Sequence, residues 1–326
     1  MNILITGATG FIGSHLTAAL SKIYSVRCLV RKSSDIKELN DLNVDLAYGD
    51  LLDRDSLGPA LDGIDLVYHL AGEVYSRKGA DYRNVNVLGT KNLLEISKGK
   101  NLKKIIYISS LAVYKPVKGK ELLTEESECG PFSLYGKSKL AAETMIKRSD
   151  IPFIIIRAPV VYGPSQPPII NKLFLDALKK KRILVIGGGE NLRSICFVKN
   201  LTDGLSLLAN ESEIEGKTYV LSDDGPYTFN QIAITISKMF EDKIRIVHLP
   251  STFAGISWQI HKLLGNLFDL YFVELYASKM MQLNLGCDIT KAAKELSYRP
   301  SISLEIGIKN TLEWVENSFL QEALRT

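Results

Sequence analysis

The sequence predicts an α/β fold: a doubly wound parallel sheet followed by a second, smaller C-terminal unit. Three features carry this expectation. The chain opens as strand, glycine-rich turn and helix. Short Ile/Val-rich runs then alternate with helical patterns from residue 2 to 157, which calls for parallel strands joined by right-handed crossovers. And 326 residues exceed what one ordinary core holds.

Composition narrows the class. Hydrophobic residues make up 46% and charged residues 23%, as in a soluble globular protein. The net charge of +4, from 40 basic and 36 acidic residues, is too small and too evenly spread for nucleic-acid binding. Cys28, Cys129, Cys196 and Cys287 lie far apart with no CxxC pair, so they read as structural thiols in a reducing compartment, with no metal site expected. The first residues enter a strand rather than a basic and then apolar leader, and no run reaches about 18 uninterrupted apolar residues. A cytoplasmic protein is expected.

Residues 2–6 form an apolar run that ends in Thr6-Gly7-Ala8-Thr9-Gly10-Phe11-Ile12-Gly13, and Ile12, Leu16, Ala19 and Leu20 mark the helix that follows. Gly7 permits a tight turn, Gly10 lets the backbone approach a pyrophosphate, and Gly13 lets helix pack on strand. The helix start supplies free N–H groups for phosphate. This turn is expected to bind a dinucleotide.

The second strand, 25–30, ends at Arg31. An acidic residue there would bond the ribose diol, whereas Arg31 can pair with a 2′-phosphate. NADPH is therefore expected over NADH, with NAD possible; the plainer reading of Arg31 is a solvent-facing basic turn. The third strand, 44–48, closes on Gly49-Asp50-Leu51, and the fourth, 65–70, on Ala71-Gly72. Asp50 at a strand's carboxyl end could accept the adenine amino group, and the small Ala71 and Gly72 would let the cofactor lie close. His69, inside a strand, reads as a packed histidine with a fixed tautomer. A helical pattern runs through 86–94. The fifth strand, 105–108, delivers Ser109 and Ser110, which can hydrogen-bond a substrate oxygen or simply cap a turn. The sixth strand is 153–157.

Tyr135 and Lys139 stand four residues apart, one helical turn, on one face. A free phenol titrates near pH ~10, and an ammonium beside it favours the phenolate. Tyr135 could then exchange a proton with a substrate hydroxyl. By itself the pentapeptide is equally a helix-start tyrosine with a solvated lysine.

Four stretches occur in order: Thr6-Gly-Ala-Thr-Gly-Phe-Ile-Gly13, Ser109-Ser110-Leu-Ala-Val-Tyr114, Tyr135-x-x-x-Lys139 and Arg157-Ala-Pro-Val-Val-Tyr-Gly-Pro164. Together they resemble an extended short-chain dehydrogenase/reductase of the NAD-dependent epimerase/dehydratase kind. The likeness continues through Arg193-Ser-Ile-Cys-Phe-Val198, Asp203-Gly204 and Asp288-Ile-Thr-Lys291 to Pro300. It implies a Rossmann-type sheet, with Ser110, Tyr135 and Lys139 as catalytic residues and Asn86 as an asparagine that braces the site. Lys139 would also hold the nicotinamide ribose. Thr9, Phe11, Ile12, Leu51, Leu70, Ser109 and Pro159 would lie against the cofactor with the glycines, Arg31, Asp50, Ala71 and Gly72. The resemblance also implies a homodimer built on helices near 85–98 and 135–148. It places the cofactor domain at 1–165, with a segment near 194–210 returning to it, and a mainly substrate-binding, interleaved domain at 166–326.

Two departures concern the substrate. Nucleotide-sugar epimerases often carry asparagine where this chain has Val160, and an Arg-Pro-Gly-Asp stretch where it reads Gln282-Leu-Asn-Leu-Gly-Cys287. A buried diphosphate needs charge-assisted donors, and Arg193 is one candidate without an evident partner. Gly187-Gly188-Gly189 reads as a turn. Residues 253–277 are rich in Phe, Leu, Ile, Trp and Tyr. They fit an amphipathic helix pair packed on the substrate domain, an apolar pocket wall, or a surface that touches membrane. Arg31, Val160 and this run resemble the branch with 3β-hydroxysteroid dehydrogenases, dihydroflavonol reductases and hopanoid-associated epimerase-like proteins. The expected activity is hydride transfer at a secondary alcohol or ketone of an apolar or mid-sized substrate. The alternative is a UDP-sugar 4-epimerase or dehydratase that keeps NAD bound. A redox-sensing or scaffold role would fit loss of the tyrosine or lysine, and both are present.

Overall fold

The computed structural model describes residues 1–117, 119–211 and 214–323. The first half alternates as the pattern requires: β1 (Asn2–Thr6), α1 (Phe11–Leu20), β2 (Ser25–Val30), β3 (Asp45–Tyr48), α2 (Arg54–Leu61) and β4 (Leu66–His69). A single turn α3 (Gly79–Asp81) leads through a π-helical stretch, Tyr82–Gly89, into α4 (Thr90–Ser97); β5 (Lys104–Ser110), α5 (Leu134–Lys147) and β6 (Phe153–Ala158) follow. The second half contains β7 (Val160–Tyr162), α6 (Pro168–Lys180), β8 (Arg182–Ile186), β9 (Leu192–Arg193), β10 (Ile195–Phe197), α7 (Val198–Leu207), β11 (Lys217–Val220) and β12 (Tyr227–Thr228). It ends with α8 (Phe229–Lys238), β13 (Arg245–Leu249), α9 (Ser251–Phe268), α10 (Val273–Met280), α11 (Thr290–Glu295) and α12 (Leu304–Ala323).

Seven parallel strands form one Rossmann-type sheet in the order β3-β2-β1-β4-β5-β6-β11. The order reverses between β1 and β4, and ligands bind such sheets outside the carboxyl ends at that switch point. Alternate residues of β1 serve opposite faces. Ile3 and Ile5 pack with Leu16 and Leu20 of α1 and Leu201 and Leu205 of α7. Leu4 packs on the other side with Leu57, Leu93, Ala142 and Ile146. Helices cover both faces, so the inner strands β1, β4, β5 and β6 are buried and read as apolar runs, while the edge strand β3 is partly exposed.

Two boundaries differ from the sequence reading. β5 runs on to Ser110, because Ser109 and Ser110 keep register with Arg157 and Ala158 of β6. The outermost strand, β11, comes from 217–220 and pairs with β6, so the chain that re-enters the sheet layer extends past 210. Gly187 to Gly189 form a turn between β8 and β9, and the Asn230 amide donates to the Gly188 carbonyl at 2.8 Å. A separate core of Phe174, Ile183, Phe197, Ile236 and Ile308 holds the C-terminal layer. Cys28, Cys129, Cys196 and Cys287 are free thiols. Among the described residues no helix is long and apolar enough to cross a membrane.

The two layers meet at Asn200 on α7. Its amide nitrogen donates to Asp223 (2.7 Å) and to the Ile302 carbonyl (2.8 Å), and its oxygen accepts from the N–H groups of Ser301 and Ile302. Asp223 also accepts from the Phe197 N–H at 2.9 Å. All of these groups lose water on folding, so each must stay paired. Asn200→Ala should lower unfolding free energy by about 2–4 kcal/mol, read as a reduced urea midpoint with unchanged slope.

Candidate active site

The glycine turn is shaped by lack of room. Gly7 has φ +74°, and a Cβ there would stand 2.7 Å from the Ala71 nitrogen; a Cβ on Gly13 would fall 2.0 Å from the Gly7 carbonyl oxygen. Turn, helix and the end of β4 are therefore in backbone contact. Gly10 caps α1 without a side-chain acceptor, and the first turn of α1 holds no acidic residue. The helix N–H groups and dipole are left facing the sheet's carboxyl edge, where a phosphate fits.

Behind this turn runs a chain of hydrogen bonds. The Ala71 N–H donates to Thr6 Oγ1 (3.2 Å), Thr6 Oγ1 meets His69 Nδ1 (2.8 Å), His69 Nε2 meets Thr90 Oγ1 (2.9 Å), and Thr90 donates to the Asn86 carbonyl (2.7 Å). Because the Thr90 proton is committed to Asn86, His69 must donate from Nε2 and accept at Nδ1. Burial, with the Lys139 charge nearby, pushes His69 down to about 3, so it is neutral. His69 is thus a packed, tautomer-fixed structural residue.

Asn86, fully buried in the π-helical stretch, braces the loop after β4. Its oxygen accepts from the Glu73 N–H (2.7 Å), and its nitrogen donates to the Glu73 carbonyl (3.0 Å) and Ser138 Oγ (2.8 Å). Ser138 in turn donates to the Tyr135 carbonyl at 2.8 Å. A Cβ on Gly72 would come within 3.0 Å of Asn86 Oδ1 and 3.7 Å of Lys139 Nζ, so a side chain there would press on the asparagine that braces the loop.

Ser133 caps α5 by accepting from the Gly136 N–H at 3.0 Å, which sets Tyr135 and Lys139 on the first turns. Lys139 is buried, with Nζ 4.4 Å from the Tyr107 ring centroid. Burial lowers it to about 7, opposed by the Glu143 carboxylate one turn further on. Glu143, fully buried, accepts from Arg157 Nε (3.0 Å) and Nη2 (2.7 Å) and from Ser109 Oγ (2.5 Å). The hydroxyl of Ser109 is consequently committed to Glu143. Ser110 Oγ accepts from the Ala112 N–H at 3.1 Å, and its hydroxyl faces the Tyr135 phenol.

The expected acidic phenol is corrected here. Burial pushes Tyr135 up, outweighing the downward pull of the Ser110 hydroxyl. The main reason is enclosure, to which the neighbouring phenols of Tyr75, Tyr276 and Tyr82 add a smaller upward push.

A continuous cavity of about 670 Å³ runs from the glycine turn past these groups into the C-terminal layer. It brings together Gly7, Gly10, Phe11, Ile12, Gly13, Leu70 and Gly72 with Ser109, Ser110, Tyr135, Lys139 and Pro159. Thr9, Arg31, Asp50, Leu51, Ala71 and Asn86 are not on its wall. Asn86 stands behind Gly72. Arg31 lies exposed at the end of β2, and Asp50 follows β3, with Oδ1 accepting from the Leu52 N–H at 2.8 Å. The far wall comes from α9 and α10, including His261, Tyr276 and Met280. Arg193 lies there too, buried, stacked on Phe229 at 5.5 Å and donating from Nη2 to the Met280 carbonyl; its Nε has no partner. Burial pulls it down to about 10. Glu143 escaped the sequence reading, although its position four residues beyond Lys139 on the same face was a signal.

The sequence profile of the NAD dependent epimerase/dehydratase family matches residues 3–222. The chain belongs to this family. The family is one of enzymes, and this member is an extended short-chain dehydrogenase/reductase. The chain is similar to a 4-hydroxy-2-methyl-3-oxo-4-farnesyl-3,4-dihydroquinoline-1-oxide ketoreductase of Stigmatella aurantiaca, 26% identical over 94% of this chain and 95% of the relative. It is also similar to a 3 beta-hydroxysteroid dehydrogenase/Delta 5-->4-isomerase of Mycobacterium tuberculosis, 26% identical over 98% of this chain and 91% of the relative. Among solved structures, the UDP-glucuronic acid 4-epimerase of Bacillus cereus in complex with NAD superposes with TM-score 0.80, 26% identity and coverage of 98% and 100%. The family thus joins net oxidoreductases and epimerases on one fold.

The Lys139 environment has a measurable consequence without nucleotide. An unfolded lysine titrates near ~10.4, whereas Lys139 titrates at about 7 in the fold. Between these values the unfolded chain holds the extra proton, so this residue makes stability rise as pH increases through that window. Lys139→Met should be the more stable protein near neutrality, and the gap in urea midpoint should narrow on going to about pH 9.

Proposed function

We propose that this enzyme is an NAD(P)-dependent dehydrogenase/reductase acting at a secondary alcohol or ketone of an apolar or mid-sized substrate. The observation that carries the reading is the cavity itself. Beyond Tyr135 its wall is built of Val160, Ile170, Leu173, Phe174 and Met280, with Arg193 as the charged group at the far end among the described residues. A nucleotide diphosphate needs several charge-assisted donors, and this wall offers few. An apolar body gains from burial against such side chains.

The residues fit the cofactor: the glycine turn leaves a cradle that any Cβ would fill, and the start of α1 faces it. The loop after β4 is pinned by Asn86 beside Lys139. A bound nicotinamide would supply the hydride chemistry. Gly7, Gly10 and Gly13 would hold its pyrophosphate against the helix start, and Lys139 would hold the ribose. Ser110, whose hydroxyl faces the Tyr135 phenol, would turn its proton to the substrate oxygen. Tyr135 would deliver or remove the proton at that same oxygen, with Lys139 favouring its anionic form once charge develops. Glu143 would favour the protonated form of Lys139, against the burial that lowers it. We further propose a cytoplasmic homodimer that pairs the helices near 85–98 and 135–148, where Leu88 is exposed. We also propose a preference for NADPH set by Arg31, whose guanidinium makes no hydrogen bond or ion pair among the described residues.

A second reading, a nucleotide-sugar 4-epimerase or dehydratase that retains NAD, draws support from the unpaired Nε of Arg193 and from the likeness to the Bacillus cereus enzyme. The two readings separate in one assay. A reductase oxidises added NADPH steadily when given a ketone. An epimerase emerges from purification with NAD bound and converts a UDP-sugar with no net change at the reduced-nicotinamide band.

Tyr135→Phe should lower turnover roughly 100- to 10,000-fold while NADPH affinity, followed by fluorescence titration, stays unchanged. Arg31→Asp should weaken NADPH roughly ten- to hundredfold and NADH little. Equal weakening of both would remove Arg31 from 2′-phosphate recognition.

A further inference from the structure

Helix α9 packs the wrong way round for a soluble protein. Its buried face consists of Ala254, Ser257, His261 and Gly265. Its large apolar residues Phe253, Ile256, Ile260, Leu263 and Leu267 point outward, each between 43% and 64% exposed. At 100° per residue these five fall within one narrow stripe, with no polar residue inside it. A third face carries Thr252, Gln259, Lys262 and Asn266, all exposed. The helix is thus anchored along one side, apolar along the next and polar along the third. That is the arrangement of a helix lying in a bilayer interface.

Three observations point to lipid as what covers this stripe. The first is charge. The eighteen residues of α9 include no acid and one base, Lys262. Beyond its C-terminal end the exposed Arg77 and Lys78 are tied to the same edge: Lys78 bridges Leu270, and the Tyr271 N–H donates to the Arg77 carbonyl at 2.9 Å. The nearby Asp269 carboxylate, which accepts from the Gly79 N–H at 3.1 Å, offsets only one of these bases. Bases beside an apolar stripe suit anionic headgroups. The second is shape. Eighteen residues give a straight edge about 27 Å long, without the polar groups with which a protein partner would fix register. The third is continuity with the cavity. Leu134 and Tyr271 line it, and Gly79 sits where an added Cβ would lie 2.9 Å from Leu134 and 3.1 Å from Tyr271. Val74, Tyr75 and Leu134 are exposed on the same cavity wall and mark its mouth.

We propose that α9 docks on an anionic lipid bilayer through the Phe253-to-Leu267 stripe, with the cavity mouth beside it, so that a lipophilic substrate enters from the membrane surface. The entry route rests on the reading of an apolar substrate; the docking does not.

Vesicle co-sedimentation tests it. The full-length protein should pellet with phosphatidylcholine vesicles containing about 30% phosphatidylglycerol, and less so at high salt. The triple variant Ile256→Gln/Ile260→Gln/Leu263→Gln should bind at least about tenfold more weakly and keep wild-type NADPH affinity. Lys262→Glu, on the polar flank, should weaken binding severalfold and serves should the triple variant fail to fold. Wild-type protein left in the supernatant overturns the proposal, as does a triple variant that pellets like wild type. Loss of a dimer in the triple variant, without vesicle binding by wild type, would assign the stripe to a second copy of the chain. Ketone reduction without vesicle binding defeats docking alone; vesicle binding without ketone reduction defeats the proposed reaction alone.

Discussion

The hydrogen-bonded row from the Ala71 N–H through Thr6, His69 and Thr90 to the Asn86 carbonyl holds the site together. It crosses from the glycine turn of β1, over the end of β4, to the helix that leads into α4. Each member has one donor and one acceptor committed, so no member can turn without leaving a buried group unpaired. This rigidity keeps Gly7 and Gly13 at backbone contact and holds the Gly72 loop against Lys139. A neutral His69 is part of the arrangement, since a second buried cation beside Lys139 would not be tolerated.

The electrostatics of the site follow from enclosure. Lys139 is stripped of water, and its charge is supported by Glu143, which is itself held by Arg157 from β6 and by Ser109 from β5. Two strands and one helix therefore converge on a single carboxylate. Removing one partner from such a cluster would leave the others uncompensated in a dry interior. Of Tyr135 and Lys139, the lysine is the one brought near neutrality, since burial lowers it to about 7.

What the sequence made legible was what local sterics and spacing determine. The opening glycines must be glycines because of atoms only a few residues away or at the neighbouring strand's end, and Tyr135 and Lys139 share a face because a helix has a fixed period. Less legible was whatever depends on distant chain. The direction of the Tyr135 shift reversed because distant segments bury the phenol, with the phenols of Tyr75, Tyr276 and Tyr82 adding to the effect. Periodicity marked 253–277 as amphipathic, yet it could not say that the small-residue face of α9 would turn inward. β11 escaped notice because four residues of strand carry little signal until an unpaired edge is there to receive them.

That late strand has a consequence for how the protein is made. β6 is complete at Ala158, but the edge it presents stays bare until Lys217–Val220 arrives. During synthesis nearly sixty further residues must leave the ribosome before the nucleotide layer can be finished, and through that interval an apolar strand edge is available to other chains. A fragment ending near residue 165 would keep that exposed edge permanently and should aggregate rather than persist as a free-standing unit.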